Sequence, residues 1–168
     1  TPADYSLSYL PLCHIAEQMF TIHGPITGGY SVYYAESMEM LPTNLKEVQP
    51  TVFFGVPRVY EKLYDGVSGK LSLASGFKLK LVNWAQRVGR AVSTQQNEGL
   101  DVGPLLNLQF RVANKLVFSK LKEAIGMKNA RLLVTGAAPI NPTIQHFFSG
   151  FDLVIREVYG QSEDCGPT

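Results

Sequence analysis

Two apolar stretches near the end of the chain each run into a glycine, and a helix-like stretch separates them. Residues 131–136 are Arg-Leu-Leu-Val-Thr-Gly, and residues 152–160 are Asp-Leu-Val-Ile-Arg-Glu-Val-Tyr-Gly. Between them, Asn141 is a typical helix N-cap, Pro142 suits a first turn and Gly150 suits a helix end. The order predicts a strand–helix–strand unit. In an open parallel sheet, ligands bind beyond the carboxyl ends of such strands.

The first third of the chain alternates between short apolar segments and helix-like ones. We expect strands at residues 7–10, 30–35 and 51–55, and helices at 14–22, at 42–48 and from Pro57 onward. Gly24-Pro25 is expected to end the first helix, because proline lacks an amide hydrogen. Alternation of this kind predicts an α/β fold with a mostly parallel sheet flanked by helices.

The middle of the chain departs from this rhythm. Apolar residues recur every three or four positions across residues 77–92 and again across 106–121, which predicts two amphipathic helices. Residues 99–104 would form the turn between them, and Gly126 would end the second helix. We therefore expect an inserted helical hairpin whose apolar stripes pack into the core.

Charge is unevenly distributed along the chain. Residues 58–131 hold thirteen Lys and Arg against five Asp and Glu, and the remainder holds two against nine. A solvated helical face is the usual explanation of such a run. The alternative is a peripheral contact between the basic hairpin, residues 77–125, and an anionic membrane, for which Trp84, Lys78 and Lys80 are suited.

The composition bounds the class of protein. A hydrophobic content of 45% and a charged content of 17% are typical of a globular domain and exclude a disordered chain. Cys13 and Cys165 form neither a metal-ligand spacing nor a disulfide framework, which favours a cytoplasmic setting. The sequence shows no signal peptide and no apolar run as long as a membrane span. We expect no nucleic-acid partner.

Four blocks of the sequence resemble, in order, the motifs of adenylate-forming enzymes. They are Tyr-Leu-Pro-Leu-Cys-His-Ile-Ala-Glu at 9–17, Val-Pro-Arg-Val-Tyr-Glu-Lys at 56–62, Thr-Gly-Ala-Ala-Pro-Ile at 135–140 and Tyr-Gly-Gln-Ser-Glu at 159–163. The first two have the form typical of long-chain fatty acid–CoA ligases. The first block and the Ser-Glu-x-x-Gly-Pro ending are similar to the very-long-chain "bubblegum" branch of that group.

The resemblance implies that residues 1–168 are the central portion of the large N-terminal, AMP-binding domain of an acyl-CoA synthetase. The family's phosphate loop, expected upstream, and its small C-terminal domain, expected downstream, are absent from this sequence. The family joins a long-chain fatty acid to CoA through an acyl-adenylate, with ATP and Mg²⁺. We therefore expect the 168 residues alone to have no turnover.

The resemblance also implies roles for individual residues. Glu163 would bind Mg²⁺, Ser162 would contact the phosphates, and His14 would stabilise negative charge at the α-phosphate. The residues implied for nucleotide binding are Gly136, Ala137, Ala138, Tyr159, Gly160, Gln161 and Ser162. Ile15 and Gly136 would contact the acyl chain, whose tunnel would be walled by the helix after His14 and by residues 24–29.

Each of these residues also has a structural explanation that the sequence leaves open. Glu163 could be a surface carboxylate, Ser162 a helix N-cap, and His14 a core or helix-start histidine. Residues 136–139 could form a plain turn between a strand and a helix. His23 and His146 lie on predicted helices and are assigned no role.

Three other functions compete with the ligase. One is another adenylating enzyme, such as a fatty acyl-AMP ligase or the adenylation domain of a peptide synthetase. The second is a dinucleotide-binding oxidoreductase, which would need Gly-x-Gly-x-x-Gly after a strand, and no such run exists here. The third is a non-catalytic module that binds a nucleotide or a membrane. Unpaired sheet edges would favour a homodimer in any of them.

Overall fold

Five parallel strands form the central sheet of the computed structural model, which describes residues 1–167. The strands are β1 (Tyr5–Ser8), β2 (Ser31–Tyr34), β3 (Val52–Phe54), β4 (Leu132–Thr135) and β5 (Ile155–Glu157). Their order is β2-β1-β3-β4-β5, and all neighbouring pairs are parallel. A short antiparallel pair follows, β6 (Gly160–Gln161) with β7 (Gly166–Pro167). The prediction of an α/β fold with a mostly parallel sheet is confirmed.

Within residues 1–167, eight α-helices surround or extend this sheet. They are α1 (Ile15–Gln18), α2 (Gly24–Gly28), α3 (Leu41–Val48), α4 (Pro57–Ser72), α5 (Gly76–Asn97), α6 (Pro104–Ala113), α7 (Ser119–Ile125) and α8 (Pro142–Ser149). A first π turn (Met19–His23) joins α1 to α2, and a second π turn (Asn114–Phe118) joins α6 to α7. A 3₁₀ turn (Ser162–Asp164) lies between β6 and β7. No helix within residues 1–167 is both long enough and apolar enough to cross a membrane.

The strand order explains which helices lie on which face of the sheet. Strand–helix–strand crossovers are right-handed. The chain crosses the sheet in one direction from β1 to β2, and in the opposite direction from β2 to β3, β4 and β5. The α1–α2 segment therefore lies on one face, where Phe20 stacks on Phe54 with ring centroids 4.9 Å apart. On the other face, α3, α4 and α8 share one core with Leu7, Phe53, Leu133 and Ile155.

The predicted helical hairpin is present between α4 and β4. Its first arm is α5, and its second arm is α6, the second π turn and α7. Ala85, Val88, Ala113, Val117 and Phe118 pack together with Phe151, the second residue after the end of α8. The two apolar stripes therefore pack into the core, as predicted, except at Phe77, which is 79% exposed.

Two predicted helix boundaries are confirmed by their geometry. The Asn141 side chain accepts a hydrogen bond from the Thr143 amide at 2.9 Å and caps α8. Gly126 ends α7 with a left-handed φ of 81°, and a Cβ atom there would lie 2.4 Å from the Leu45 carbonyl carbon. Gly126 is thus required both by its backbone conformation and by the close approach of α3.

One predicted boundary is wrong. The first helix was expected to end at Gly24-Pro25, but it continues through the first π turn to Gly28, and Gly29 ends it with a φ of 70°. Pro25 cannot donate to the Phe20 carbonyl five residues before it. The Tyr30 hydroxyl donates to that carbonyl instead, at 2.7 Å. The helix therefore tolerates the proline because a side chain outside the helix supplies the missing donor.

Candidate active site

The segments that follow four of the five strands meet at the carboxyl edge of the sheet and enclose a cavity of about 320 Å³. Its wall includes Leu10 after β1, Val56 after β3, Gly136 after β4 and Val158 after β5. The strand order reverses between β1 and β3. Crevices at such a reversal are the usual binding sites of open α/β sheets, and this volume is typical of a small-molecule site.

Most of the predicted site residues line this one cavity. Those that do are His14, Ile15, Gly136, Ala137, Tyr159, Gly160, Gln161 and Ser162. Ala138 and Glu163 do not line it, although each is the chain neighbour of a residue that does. The structure thus brings together residues that are about 150 positions apart in the sequence. The roles implied for them remain predictions.

His14 lies at the start of α1 with an exposed side chain. Its backbone is extended, with φ −85° and ψ 127°, and its side chain makes no capping hydrogen bond. The His14 amide donates to the Pro11 carbonyl at 3.0 Å, which closes the turn after β1. His14 is therefore not a core histidine, and its imidazole can meet a ligand at the cavity wall.

The buried side chain of Glu17 links the first turn of α1 to β1. Its carboxylate is 3% exposed and accepts hydrogen bonds from the hydroxyls of Ser8, on β1, and of Thr21 at 2.6 Å. A buried carboxylate requires such partners. No sequence pattern assigns a role to Glu17, and the structure shows that it links α1, the helix that follows His14, to β1.

Gly136 and Ala137 present backbone to the cavity. A Cβ atom on Gly136 would lie 3.1 Å from Val158 Cγ2 and 3.2 Å from the Val158 carbonyl oxygen. A larger residue at 136 would therefore push the segment after β5 away from β4. Ala137 has a left-handed φ of 69° and an exposed side chain. The turn after β4 is therefore not a plain one, because a residue with a Cβ atom adopts a backbone conformation that favours glycine.

The last predicted motif forms a small β-ribbon at the cavity mouth. Tyr159 is 72% exposed, Gly160 and Gln161 pair with β7, and the Gln161 side chain donates to Asp164 at 2.8 Å. Ser162 is the first residue of the 3₁₀ turn and not its N-cap, so the structural explanation offered for it does not hold. The side chains of Ser162 and Glu163 are exposed to solvent.

Several lining residues were not found by the sequence analysis. They are Leu10, Cys13, Ala16, Phe20, Phe54, Val56, Val158 and Gly166. Phe20 lies on the helical face that begins at Ile15 and Ala16, so helical spacing from His14 could have found it. Gly166, by contrast, is buried with a φ of 123°, and a Cβ atom there would lie 3.0 Å from Met19 Cγ. No local pattern predicts that contact.

The site fits a nucleotide better than a protein-held metal ion. Bare backbone at Gly136, an aromatic ring at Tyr159 and the serine hydroxyl suit a base, a ribose and a phosphate. Within residues 1–167 no group of three or more His, Cys, Asp or Glu side chains could hold a metal ion. Mg²⁺ commonly uses one or two carboxylates together with substrate phosphates, so a single carboxylate such as Glu163 would need a bound phosphate to hold that ion.

Comparisons with known proteins agree with this description. The model of the family described as "AMP-binding enzyme" matches residues 1–168. The chain is 39% identical over 164 residues to long-chain-fatty-acid–CoA ligase ACSBG2 of Homo sapiens, in a match that covers 96% of this chain and 24% of that protein. It is 36% identical over 168 residues to long-chain-fatty-acid–CoA ligase ACSBG1 of Homo sapiens, covering 96% and 22%. The chain thus spans about a quarter of the length of the curated relatives it matches.

Solved structures share the fold. The didomain of a carboxylic acid reductase from Segniliparus rugosus, in complex with AMP, superposes with a TM-score of 0.60 at 20% identity, over 98% of this chain and 19% of that one. A long-chain-fatty-acid-CoA ligase from Archaeoglobus fulgidus superposes with a TM-score of 0.50 at 13% identity, over 99% and 25%. At these identities the likeness establishes the fold alone.

Proposed function

The chain belongs to the AMP-binding enzyme family, and we propose that the polypeptide that contains it is a long-chain fatty acid–CoA ligase. The observation that carries the proposal is the convergence of His14, Gly136, Tyr159 and Ser162 on one cavity at the carboxyl edge of the sheet. The names of the relatives at 36–39% identity support the acid as a long-chain fatty acid and the acceptor as CoA.

The proposed reaction has two steps. In the first, a carboxylate oxygen of the fatty acid attacks the α-phosphorus of ATP, and the bond between the α-phosphorus and the α,β-bridging oxygen breaks, which releases pyrophosphate and leaves acyl-AMP. In the second, the CoA sulfur attacks the acyl carbonyl carbon, loses its proton to solvent, and AMP departs. Both steps depend mainly on positioning and on stabilising charge at the phosphate.

The residues of this chain serve the first step. The backbone of Gly136 and Ala137 would lie against the adenine, and Tyr159 would cover it from the mouth of the cavity. The Ser162 hydroxyl would donate to a phosphate oxygen. An imidazole N–H of His14 would donate to the α-phosphate oxygen as negative charge builds there. Ile15 and Gly136 would contact the first carbons of the acyl chain.

Mg²⁺ would neutralise phosphate charge when it is bound with ATP, and Glu163 is the carboxylate proposed to hold it. Glu163 lies outside the cavity lining and is exposed next to Ser162, which does line it. This position suits a triphosphate that extends out of the cavity toward solvent. The adjacent carboxylate of Asp164 is engaged by Gln161 at 2.8 Å, which leaves Glu163 as the better ligand.

We also propose a cytoplasmic location with peripheral contact to a membrane. Leu73 is 84% exposed and Phe77 is 79% exposed where α4 gives way to α5, and Lys70, Lys78 and Lys80 are exposed around them. Apolar tips within a basic surface are the combination that anionic leaflets attract. A fatty acyl-AMP ligase with the same first step is the alternative activity, and a nucleotide- or membrane-binding module without catalysis is the other.

The test is fatty-acid-dependent exchange between ATP and pyrophosphate by the longest natural polypeptide that contains this sequence. We expect exchange with long-chain acids and a loss on the order of 10²-fold in Glu163→Ala. The matched control is Asp164→Ala, in the same 3₁₀ turn, which should keep most of the activity. Exchange without CoA-dependent acyl transfer would indicate the acyl-AMP ligase. A folded protein that binds ATP but exchanges with no acid would contradict both enzymatic proposals.

A further inference from the structure

A cavity larger than the candidate active site lies elsewhere in the described part of the chain. It is a groove of about 550 Å³ on the side of the sheet that carries α3 and α4. It is bounded by these two helices, the second π turn and α7. Its floor is apolar and includes Leu45, Val59, Leu63, Val67 and Leu121. None of the residues to which the AMP-binding role is assigned lines it.

The rim of this groove is strongly basic. The charged residues that line it are Lys46, Arg58, Lys62, Lys70 and Lys120, against the single carboxylate of Glu39. All five cations are exposed. Arg58 forms an exposed ion pair with Glu61 at 3.4 Å, whereas the four lysines have no carboxylate within 4.0 Å among residues 1–167. An apolar floor beneath unpaired cations is complementary to an amphiphile with an anionic head.

The groove is long enough to hold an acyl chain. It follows α4 from Val56 to Leu71, a span of fifteen residue steps, which is about 22 Å at 1.5 Å per residue. One leaflet of a bilayer is half of a hydrocarbon core of about 30 Å, so an acyl chain extends about 15 Å. The volume lies within the range of about 300–1,000 Å³ for sites that enclose one small ligand.

We propose that this groove binds one long-chain fatty acid, with its chain on the apolar floor along α4 and its carboxylate paired with the rim lysines. The choice of a fatty acid over other anionic amphiphiles rests on the proposed function. Val56 lines both this groove and the candidate active site, so an acid held here lies next to the cavity in which it would be activated. The groove is a second site, on the opposite side of Val56 from His14 and Gly136.

Two glycines on α4 provide a matched pair of variants. A Cβ atom on Gly66 or on Gly69 would meet no atom within 4 Å, so both positions accept larger side chains. Only Gly66 lines the groove. Both glycines are exposed in the same helix, where replacing glycine favours the helical state. Gly66→Phe would fill the groove, and Gly69→Phe would leave it open. We expect the two substitutions to change the stability of the fold by similar amounts.

The experiment measures binding of palmitate labelled with ¹³C at its carboxyl carbon to the longest natural polypeptide that contains this chain. The active site is first saturated with a non-hydrolysable acyl-adenylate analogue. We expect one equivalent of palmitate to remain bound, with affinity lowered at least tenfold in Gly66→Phe and changed less than twofold in Gly69→Phe. Lys62→Glu together with Lys120→Glu should weaken binding similarly, whereas Lys78→Glu, on α5, should not. Hexadecanol, which lacks the charge, should bind more weakly than palmitate.

Four results would overturn the proposal. Equal binding by Gly66→Phe and Gly69→Phe would remove the groove as the site, and so would equal loss in both. Displacement of all palmitate by the acyl-adenylate analogue would assign the acid to the active site alone. Binding to vesicles of phosphatidylcholine and phosphatidylserine, without binding of palmitate monomers, would show that the basic rim contacts a membrane surface. Absence of ATP–pyrophosphate exchange would contradict the proposed function but not binding in the groove. The palmitate affinities of the two phenylalanine variants would still decide whether the groove is the binding site.

Discussion

Glu17 is the buried carboxylate that fixes the position of His14, three residues before it. Both of its hydrogen bonds, from Ser8 and from Thr21, go to the same oxygen, Oε1. A glutamine keeps an oxygen at that position and loses only the charge, whereas an alanine leaves two buried hydroxyls without a partner. Glu17 is thus a positioning residue, and its two variants separate geometry from charge.

We expect Glu17→Ala to lower the kcat of ATP–pyrophosphate exchange on the order of 10–100-fold, because a displaced α1 moves His14 away from the phosphate. The KM for ATP should change little, because Gly136 and Ala137, which are proposed to contact the adenine, belong to a different loop. The variant should also lose about 3 kcal/mol of stability, since two hydrogen bonds to a charged acceptor disappear. Glu17→Gln should recover most of kcat. Equal loss in Ala and Gln would instead indicate a role for the charge.

The ionisation of Tyr9 makes the folded state less stable at alkaline pH. Its hydroxyl accepts a hydrogen bond from the Val56 amide at 2.9 Å, and its ring stacks on Phe53. Burial raises the pKa of Tyr9 to about 12, and the nearby charge of Glu17 acts in the same direction, while the Val56 amide lowers it. The folded state therefore holds the phenol proton more tightly than the unfolded state does. The stability this contributes is complete below about pH 10 and is lost as pH rises through about 12.

We expect the free energy of unfolding of the chain to fall by about 2–3 kcal/mol from Tyr9 alone between pH 10 and 12. Burial also raises the pKa of Tyr60, so part of the alkaline loss is common to wild type and variants. Tyr9→Phe should be less stable near pH 8 by about 1–2 kcal/mol, because the Val56 amide loses its acceptor. Its urea-denaturation midpoint should then fall less steeply above pH 10. Parallel pH profiles for the two proteins would contradict this account.

At the scale of elements, the α1–π–α2 segment shows that the end of a helix can depend on contacts that a local sequence pattern does not contain. The pattern of residues 14–22 correctly predicts a helix, because its period depends only on neighbours along the chain. The continuation over Pro25 depends on the Tyr30 hydroxyl, which reaches the Phe20 carbonyl from outside the helix. A Cβ atom on Gly24 would lie 2.2 Å from that hydroxyl, so Gly24 gives the hydroxyl room. Gly24-Pro25 has the composition of a helix end but here permits continuation.

We expect Tyr30→Phe to destabilise the chain by about 1–3 kcal/mol, the cost of leaving the Phe20 carbonyl without a donor. Amide hydrogen exchange should accelerate in the first π turn and α2, while α8 keeps its protection. The control is Tyr34→Phe, on an exposed side chain of β2, which should change stability by less than about 0.5 kcal/mol. Similar costs for the two variants would show that the hydrogen bond to Phe20 does not support the π turn.

At the scale of the whole molecule, the sequence predicts elements better than their arrangement. The alternation of strands and helices was sufficient to predict the α/β class. The spacing of apolar residues was sufficient to predict the hairpin, as the packing of Val88 against the second arm shows. The placement of β1 beside β3 was not predictable, because pairing between distant strands leaves no local pattern. That placement brings His14 to Gly136. The site residues were therefore found through the family resemblance, and the geometry then explains why they must be near one another.

The strand order also leaves β2 at an edge, and this edge has a predictable consequence. In β2, Ser31 donates its amide to Asp4 and the following Ala35 donates to Ser8. Because alternate residues of a strand face the same neighbour, the amide of Tyr34 points away from β1. Tyr33 is 51% exposed and Tyr34 is 68% exposed, and among residues 1–167 no strand pairs with this side of β2. An aromatic, unpaired edge of this kind favours pairing with a second copy.

We therefore expect the 168-residue chain to form a homodimer through its two β2 strands, observed as a concentration-dependent increase in sedimentation coefficient. Tyr34→Pro removes the outward amide, keeps the bonds to β1, and follows a residue that is already extended, so it should give a monomer. Tyr34→Ala keeps the amide and loses only the ring, so it should weaken the dimer without abolishing it. If the proline variant dimerises as well as the wild type, the contact lies elsewhere, and the apolar face of α1–α2 around the exposed Ile22 and Ile26 becomes the surface to mutate.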